Sequence, residues 1–461
     1  MHKTTALLGK TYSFDSLKEI MAKANEARSG DELAGICAQD MKERMAAKAV
    51  LADSTLADIR NHPLLPAEVD EVSRVIEENV STPVYETLKN WTVAELREHI
   101  LDDRVTGGDL LALGAGLTSE MIAAVTKIMS NLDLIQAAHK IEVITHCQTK
   151  IGQRGVLASR AQPNHPSDHL PGIRASLFEA LSYGVGDAVI GINPVIDSTD
   201  HIHALLTDTR DIIQQFSIPT QNCVLAHVTT QMRAIENGAP ADLIFQSLAG
   251  TQQGNESFGI SLSLLEEADG LIRTKGTAAG PNRWYFETGQ GSELSSESHF
   301  GVDQVSLEAR CYGLAKRFTP FIVNTVVGFI GPEYLYDGKQ VIRAGLEDHF
   351  MGKMHGLPMG VDVCYTNHMS ADQNDMDALG TLLSAAGVNF VIGVPMADDC
   401  MLNYQSLSYH DIATLRSLFN LRPAPEFLKW MEAMGIMENQ RLTAHAGDPT
   451  IFMTDAQREQ R

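Results

Sequence analysis

The hydrophobic rhythm of the chain changes near residue 150. Before that point apolar residues recur at three- and four-residue spacing behind polar caps. Leu17, Ile20, Met21 and Ala24 follow Ser16-Leu17-Lys18-Glu19, which has the spacing of a capping box, and the pattern predicts a helix closed by Gly30. Thr92-Val93-Ala94-Glu95 opens another, with Leu96 and Ile100 on one face, and 119–132 reads as a third carrying Ile122, Val125 and Met129. From Gly155 onward short apolar runs of strand composition alternate with amphipathic stretches. Candidate strands fall at 155–160, 187–193, 221–228, 242–247, 283–287, 320–327, 359–365 and 388–394. Helical spacing lies between them, as in Phe258, Leu262, Leu265, Ala268 and Ile272, or Leu379, Leu382, Leu383 and Ala386 between Asn374 and Gly387. Eight β/α units are the count of a closed barrel, with a doubly wound open sheet as the alternative. The expectation is an α/β protein with an eight-stranded parallel (β/α)8 TIM barrel over 151–453. An N-terminal helical extension over 1–150 would serve packing or assembly, and a polar tail over 454–461 would fray.

Charge narrows the partners. The chain has 461 residues with 58 acids against 36 Lys and Arg, a formal net charge of -22. That balance disfavours a phosphate backbone and attracts a small cation, so no nucleic acid is expected. The best apolar run, Phe321 to Ile330, is too short to span a bilayer and carries Asn324, and the N-terminus lacks the apolar core of a signal peptide. No membrane partner is expected, and the localisation read from this is cytoplasmic. The six cysteines are scattered without a Cys-x-x-Cys pair and read as small buried apolar residues.

The chemistry gathers where strands end, because parallel strands deliver their C-terminal residues to one face. Arg283-Trp284-Tyr285-Phe286-Glu287-Thr288-Gly289-Gln290-Gly291-Ser292 is an aromatic strand that stops at a carboxylate and a glycine-rich turn. The other ends supply Ser159-Arg160-Ala161-Gln162-Pro163-Asn164, Asn193-Pro194, His227, Gln246, Asn324, Asp362 with His368, and Asp398-Asp399. Two carboxylates (Glu287, Asp362), one arginine (Arg160) and two amides (Gln162, Asn193) suit a small cation that also carries an oxygen. No strand end offers a lysine, which argues against a Schiff-base aldolase. A metal site from Glu287, Asp362, His227 and His368 is the competing reading, on ligand type alone. Gly184-Val185-Gly186-Asp187 precedes a strand and so is no dinucleotide turn. Glu347-Asp348-His349-Phe350-Met351-Gly352 nearly matches a cobalamin-binding Asp-x-His-x-x-Gly motif, but it lacks the aspartate and reads as a helix between barrel strands.

These residues resemble one family, the large, catalytic subunit of ethanolamine ammonia-lyase. The likeness is carried by Ser159 to Asn164, Gly184 to Gly191 with Asn193-Pro194, Val224 to Gln231, Tyr285 to Ser292, Pro320 to Tyr336, Arg343 to Lys353 and Cys364 to His368. It extends from Thr4 to Phe452, with residues 136–153 and the end of the chain looking divergent. The resemblance implies a barrel that binds ethanolamine at its carboxyl end beneath adenosylcobalamin, whose corrin lies between this chain and a separate small subunit. It implies substrate contacts from Arg160, Gln162, Asn193, Glu287 and Asp362 with Phe329 close by, catalytic roles for Glu287, Arg160 and Asp362, and cobalamin contacts from Pro194, Gln246, Ser295 and Met401. No protein metal ligand is implied, since the cofactor keeps its own base on cobalt. The implied reaction is a radical 1,2-amino migration that yields acetaldehyde and ammonia in ethanolamine catabolism. The implied assembly is a hetero-oligomer built on large-subunit homo-oligomers, with packaging in a bacterial microcompartment an open question. Two rivals are a metal-dependent barrel lyase or hydrolase using Glu287, Asp362 and the histidines, and a non-catalytic scaffold of a shelled compartment. A scaffold has no need of an arginine, two amides and two acids at strand ends.

Overall fold

Short strands of three to five residues, too short for helices and buried along nearly all their length, form the wall of a parallel barrel. In the computed structural model, which describes residues 1–331 and 333–453, these are β1 (Ala158–Ala161), β2 (Val189–Ile192), β3 (Asn222–Val224), β4 (Ile244–Ser247), β5 (Trp284–Thr288), β6 (Ile322–Val326), β7 (Met359–Asp362) and β8 (Phe390–Val394). The helices that follow them are α1 (Leu170–Ser182), α2 (Thr199–Gln215), α3 (Val228–Glu236), α4 (Leu262–Lys275), α5 (Gln304–Ala315), α6 (Gly338–Met354), α7 (Gln373–Ala386) and α8 (Tyr409–Phe419). The strands run in the order β3-β2-β1-β8-β7-β6-β5-β4 with parallel neighbours throughout. All eight expected strands and the alternation of helices are present.

The end strands β3 and β4 meet at a seam closed mostly by side chains. Leu243 N donates to Asn222 O at 3.3 Å, and Asn222 and Asp242 exchange side-chain bonds with each other's backbone N–H at 3.0 and 3.1 Å. Gln231, on α3, donates from Nε2 to Ala226 O and Phe245 O at 2.6 and 2.8 Å and accepts from Phe245 N at 3.0 Å. Its carboxamide therefore stands in for a missing stretch of ladder.

Period-two alternation sorts β5. Trp284 and Phe286 stack at 4.7 Å on the outer face, and Trp284 Nε1 donates to Asp269 on α4 at 2.9 Å. Tyr285 and Glu287 are left for the lumen.

The N-terminal region departs from its reading in detail. It opens with a hairpin, Lys3–Leu7 paired with Lys10–Phe14. The first helix, Leu17–Ala24, is capped by Ser16 but ends at Asn25, so Gly30 does not close it; Gly30 sits in the next helix, Ser29–Leu33. The expected 119–132 helix is broken in two, Ser119–Lys127 and Asn131–Lys140, because Ser130 makes a fresh capping box with Asp133. Thr92 and Glu95 form the capping box expected of them. One apolar core runs without interruption across residue 150. Buried ion pairs join the two sides: Lys127 with Asp303 at 2.5 Å, Arg310 with Asp70 and Glu120 at 2.8 and 2.6 Å, and Arg28 with Glu347. The expected polar tail, 454–461, lies outside the described residues.

One insertion matters for the site. After β8 the chain makes a turn at Pro395–Ala397, pairs Asp398–Asp399 with Tyr404–Gln405 in an antiparallel ribbon, and returns through Leu407–Ser408, which pairs with β8.

Candidate functional site

Arg160 is the centre of the barrel mouth. It lies on β1, its side chain is only 1% exposed, and it holds its charge inside because every terminal N–H finds an acceptor. Nη1 donates to Tyr285 OH at 2.7 Å and Glu287 Oε1 at 3.0 Å; Nη2 donates to Asn193 Oδ1 at 2.6 Å and Gly191 O at 3.3 Å. Burial pulls its pKa down, but the Tyr285 phenol and the Glu287 carboxylate outweigh that, so the guanidinium stays firmly charged.

Glu287 has two unlike oxygens. Oε1 accepts from Arg160, from Tyr285 OH at 2.7 Å and, at 3.5 Å, from Asn324 Nδ2. Oε2 has no hydrogen-bond partner among the described residues. Burial raises the Glu287 pKa above the usual range, and Arg160 and Tyr285 work against that rise. Tyr285 lies two residues below Glu287 on the same strand, which is why both face the lumen. Asn324, level with Glu287 in the β5–β6 register, leaves its own Oδ1 buried without a partner.

Asp362 ends β7 and is held by the β8 insertion. Tyr404 OH donates to Oδ2 at 2.9 Å and Ser406 Oγ to Oδ1 at 2.6 Å. Burial pushes its pKa up to about 6, with the Glu287 charge adding to the rise and Ser406 and Tyr404 opposing it.

The two amides are oriented by their outer partners. Gln162 Nε2 donates to Asp399 Oδ2 at 2.7 Å and Tyr404 OH at 2.8 Å, which turns Oε1 the other way, with no partner among the described residues. Asn193 does the reverse. Its Oδ1 accepts from Arg160 and, at 3.4 Å, from Asn164 Nδ2, so Nδ2 is the end without a partner among the described residues. Asp399 also accepts from Asn164 Nδ2 at 2.8 Å and from the backbone of Met401 and Leu402 at 3.0 and 2.7 Å, which fixes the insertion. Phe329 stands edge-on to Tyr404 with ring centres 5.3 Å apart.

The spare valences therefore have a polarity. Among the described residues, Glu287 Oε2, Gln162 Oε1 and the Asp362 carboxylate are acceptors with capacity left over at these strand ends, and Asn193 Nδ2 is a donor with capacity left over. A small ammonium-bearing alcohol matches that set.

The remaining expected residues lie around this well. Pro194 is half-buried after Asn193, Ser295 is exposed at the end of the short helix Ser292–Ser295 after β5, and Met401 is half-buried in the insertion. Gln246 is buried on β4 and spends its carboxamide on Val228 N and Ser247 O, each at 3.1 Å. The competing metal set is not brought together. His227 caps α3, with its ring bonded to Thr229 Oγ1 and Phe258 O at 2.8 and 3.0 Å, and His368 is exposed. Among the described residues no group of three His, Cys, Asp or Glu side chains could hold a metal ion. His349 is buried inside α6, as its helical reading implies.

Sequence reasoning gave no role to Tyr285, Tyr404, Ser406, Asp399 or Asn164. Tyr285 carries a usable signal, its two-residue offset from Glu287. Tyr404 and Ser406 carry none, since only the fold of the insertion brings them beneath Asp362.

A family model described as ethanolamine ammonia lyase large subunit (EutB) matches residues 12–445. The ethanolamine ammonia-lyase large subunit of Escherichia coli (strain K12) is 54% identical over 452 residues, covering 98% of this chain and 100% of that one. The subunit of the same description from Salmonella typhimurium (strain LT2) is 53% identical over the same shares. With matches of that identity along nearly its whole length, the chain belongs to the ethanolamine ammonia-lyase large-subunit family.

Proposed function

We propose that this chain deaminates ethanolamine to acetaldehyde and ammonia, and that the well in the barrel mouth holds the substrate while its amino group moves to the neighbouring carbon. The observation that carries the assignment is the polarity of the spare valences. Ethanolamine is an ammonium ion at neutral pH. Its nitrogen is met by Glu287 Oε2, Gln162 Oε1 and Asp362, and its oxygen by Asn193 Nδ2, with Arg160 sharing an Nη proton. Gripping both ends of a two-carbon skeleton keeps the migrating nitrogen from leaving for solvent. Arg160 also acts through Glu287 and Asn193, since its terminal N–H groups already bind them. Phe329 closes one side of the well.

The surroundings fit a large flat cofactor. Val195, Ile196, Phe329 and Met396 are exposed on the loops after β2, β6 and β8, an apolar rim around a polar well. Adenosylcobalamin supplies, when bound, the radical that begins hydrogen abstraction. Pro194, Gln246, Ser295 and Met401 would line it; the Gly289-Gln290-Gly291 turn is buried, with Gly291 at a φ of 105° and packed against Tyr334. The chain's own tasks are positioning, electrostatics and exclusion of water.

The partner implied is the small subunit, in a hetero-oligomer built from large-subunit homo-oligomers. No described helix is long and apolar enough to cross a membrane. The reading extends to a cytoplasmic enzyme, and packaging in a bacterial microcompartment is testable by co-fractionation. The N-terminal 1–150 is assigned to packing and assembly and 151–453 to catalysis and cobalamin binding.

The test is an acetaldehyde assay with ethanolamine, adenosylcobalamin and the small subunit, each omitted in turn. Product only in the complete mixture supports the reading. Turnover that needs zinc or manganese and no cobalamin would overturn it in favour of the metal-dependent alternative.

A further inference from the structure

Two substrate-facing side chains, Gln162 on the β1 end and Asp362 on the β7 end, are joined by a single hydroxyl from a third element. Tyr404 OH accepts from Gln162 Nε2 at 2.8 Å and donates to Asp362 Oδ2 at 2.9 Å. The residue is 2% exposed, and its ring packs edge-on against Phe329. A hydroxyl has one proton to give, so the direction of this relay is forced. Because the proton goes to the carboxylate, Tyr404 can only accept from the amide, and Gln162 must present its oxygen to the well.

We propose that Tyr404 is a positioning residue for the reaction, turning Gln162 into an ammonium acceptor and keeping Asp362 an acceptor as well. The inference rests on the site assigned above and adds to it the residue that gives the nitrogen end its polarity. Without the phenol hydroxyl, Gln162 Nε2 keeps Asp399 as its one outer acceptor; its second N–H is left without one, and the carboxamide is held less firmly with Oε1 toward the well. Asp362 loses one of the two hydrogen bonds that favour its charged form, Ser406 supplying the other. The charged and titratable groups facing Asp362 are Glu287 on β5, Arg160 on β1, Cys364 just after β7 and Tyr404 itself; Tyr404 in turn faces Cys364 and Asp399. Of these, Glu287 disfavours the Asp362 charge and Arg160 favours it, so the loss of a donor is felt where one carboxylate already opposes another.

Two variants separate this role from a merely structural one. Tyr404→Phe keeps the ring against Phe329 and removes only the hydroxyl. Ser406→Ala removes the other donor to Asp362 and leaves Gln162 untouched. Both are measured in the complete enzyme with small subunit and adenosylcobalamin, as kcat/KM for ethanolamine against pH. Both should move the acidic limb upward by about one pH unit, the scale of one hydrogen bond to a charged group. Only Tyr404→Phe should also raise KM on the plateau above that limb, by about tenfold, with kcat changed much less. Cobalamin binding should match the parent in both, and both should melt somewhat lower, since each removes one buried donor to Asp362. A Tyr404→Phe profile that superimposes on the parent's overturns the proposal, as does a plateau KM raised equally by Ser406→Ala. If the parent itself makes no acetaldehyde from ethanolamine, the functional reading fails instead, so the two failures are distinguishable.

Discussion

Glu287 and Asp362, the two acids of the proposed substrate well, are held by different kinds of structure. Glu287 is clamped by groups on barrel strands: Arg160 reaching across from β1, Tyr285 on its own β5 and Asn324 on the adjacent β6. Asp362 is held by Tyr404 and Ser406, both from the insertion after β8, whose Asp399 also holds Gln162 and Asn164. The strand-held side is fixed as soon as the barrel closes, since strands set the direction and height of each side chain. The insertion-held side depends on one short ribbon keeping its place. One half of the site is thus a property of the fold and the other a property of a loop, which is where variation in a barrel enzyme concentrates.

The strand-held half should be the harder to do without. Glu287→Gln keeps shape and removes the charge that Oε2 offers, and turnover should fall by roughly 10²–10³-fold with cobalamin still bound, read by assay and by the cofactor's absorption spectrum. Near-normal turnover would remove Glu287 from the chemistry. Arg160→Lys should cost about 10²-fold, because a point charge cannot reach Glu287, Tyr285 and Asn193 together, and it should lower the melting temperature by leaving buried acceptors without donors. The insertion-held half should show itself in pH. In the proposed site Asp362, with its pKa pushed up to about 6, offers a negative charge to the substrate ammonium only when ionised. Its contribution is therefore present above that pH and lost as pH falls through it, so kcat/KM should drop about tenfold between pH 7 and pH 5. A flat profile over that range would mean that the insertion does not govern the acid. The smallest effect on activity belongs to the seam, away from both halves. Gln231→Leu should lower stability by ~1–3 kcal/mol in thermal melts while kcat/KM stays near the parent value.

The same division explains what could be read in the sequence. Strand order and count follow from apolar runs of fixed length, and Arg160, Glu287 and Asp362 were visible because polar residues at the ends of apolar strands must point into a mouth. Tyr285 was recoverable in principle from period two. Tyr404 and Ser406 were not, because nothing local in Tyr404-Gln405-Ser406 indicates that a two-residue ribbon will lay it under a carboxylate some forty positions earlier. Helix ends went astray for a related reason. Ser130 restarts a helix inside a continuous apolar pattern, and Gly30 is packed against Gln304, so tertiary contact set the role of a glycine that local pattern assigned to a helix end. The orientation of the two amides was also beyond the sequence, since an Asn or Gln presents whichever end its outer partners leave over.

That orientation is the central claim, and analogues lacking one end of the substrate test it most directly. Ethylamine keeps the ammonium and lacks the hydroxyl. In the complete enzyme, Asn193→Ala should weaken ethanolamine binding about tenfold and leave inhibition by ethylamine unchanged, because Asn193 Nδ2 serves only the oxygen end. Equal weakening of both ligands would contradict the assigned polarity of the site.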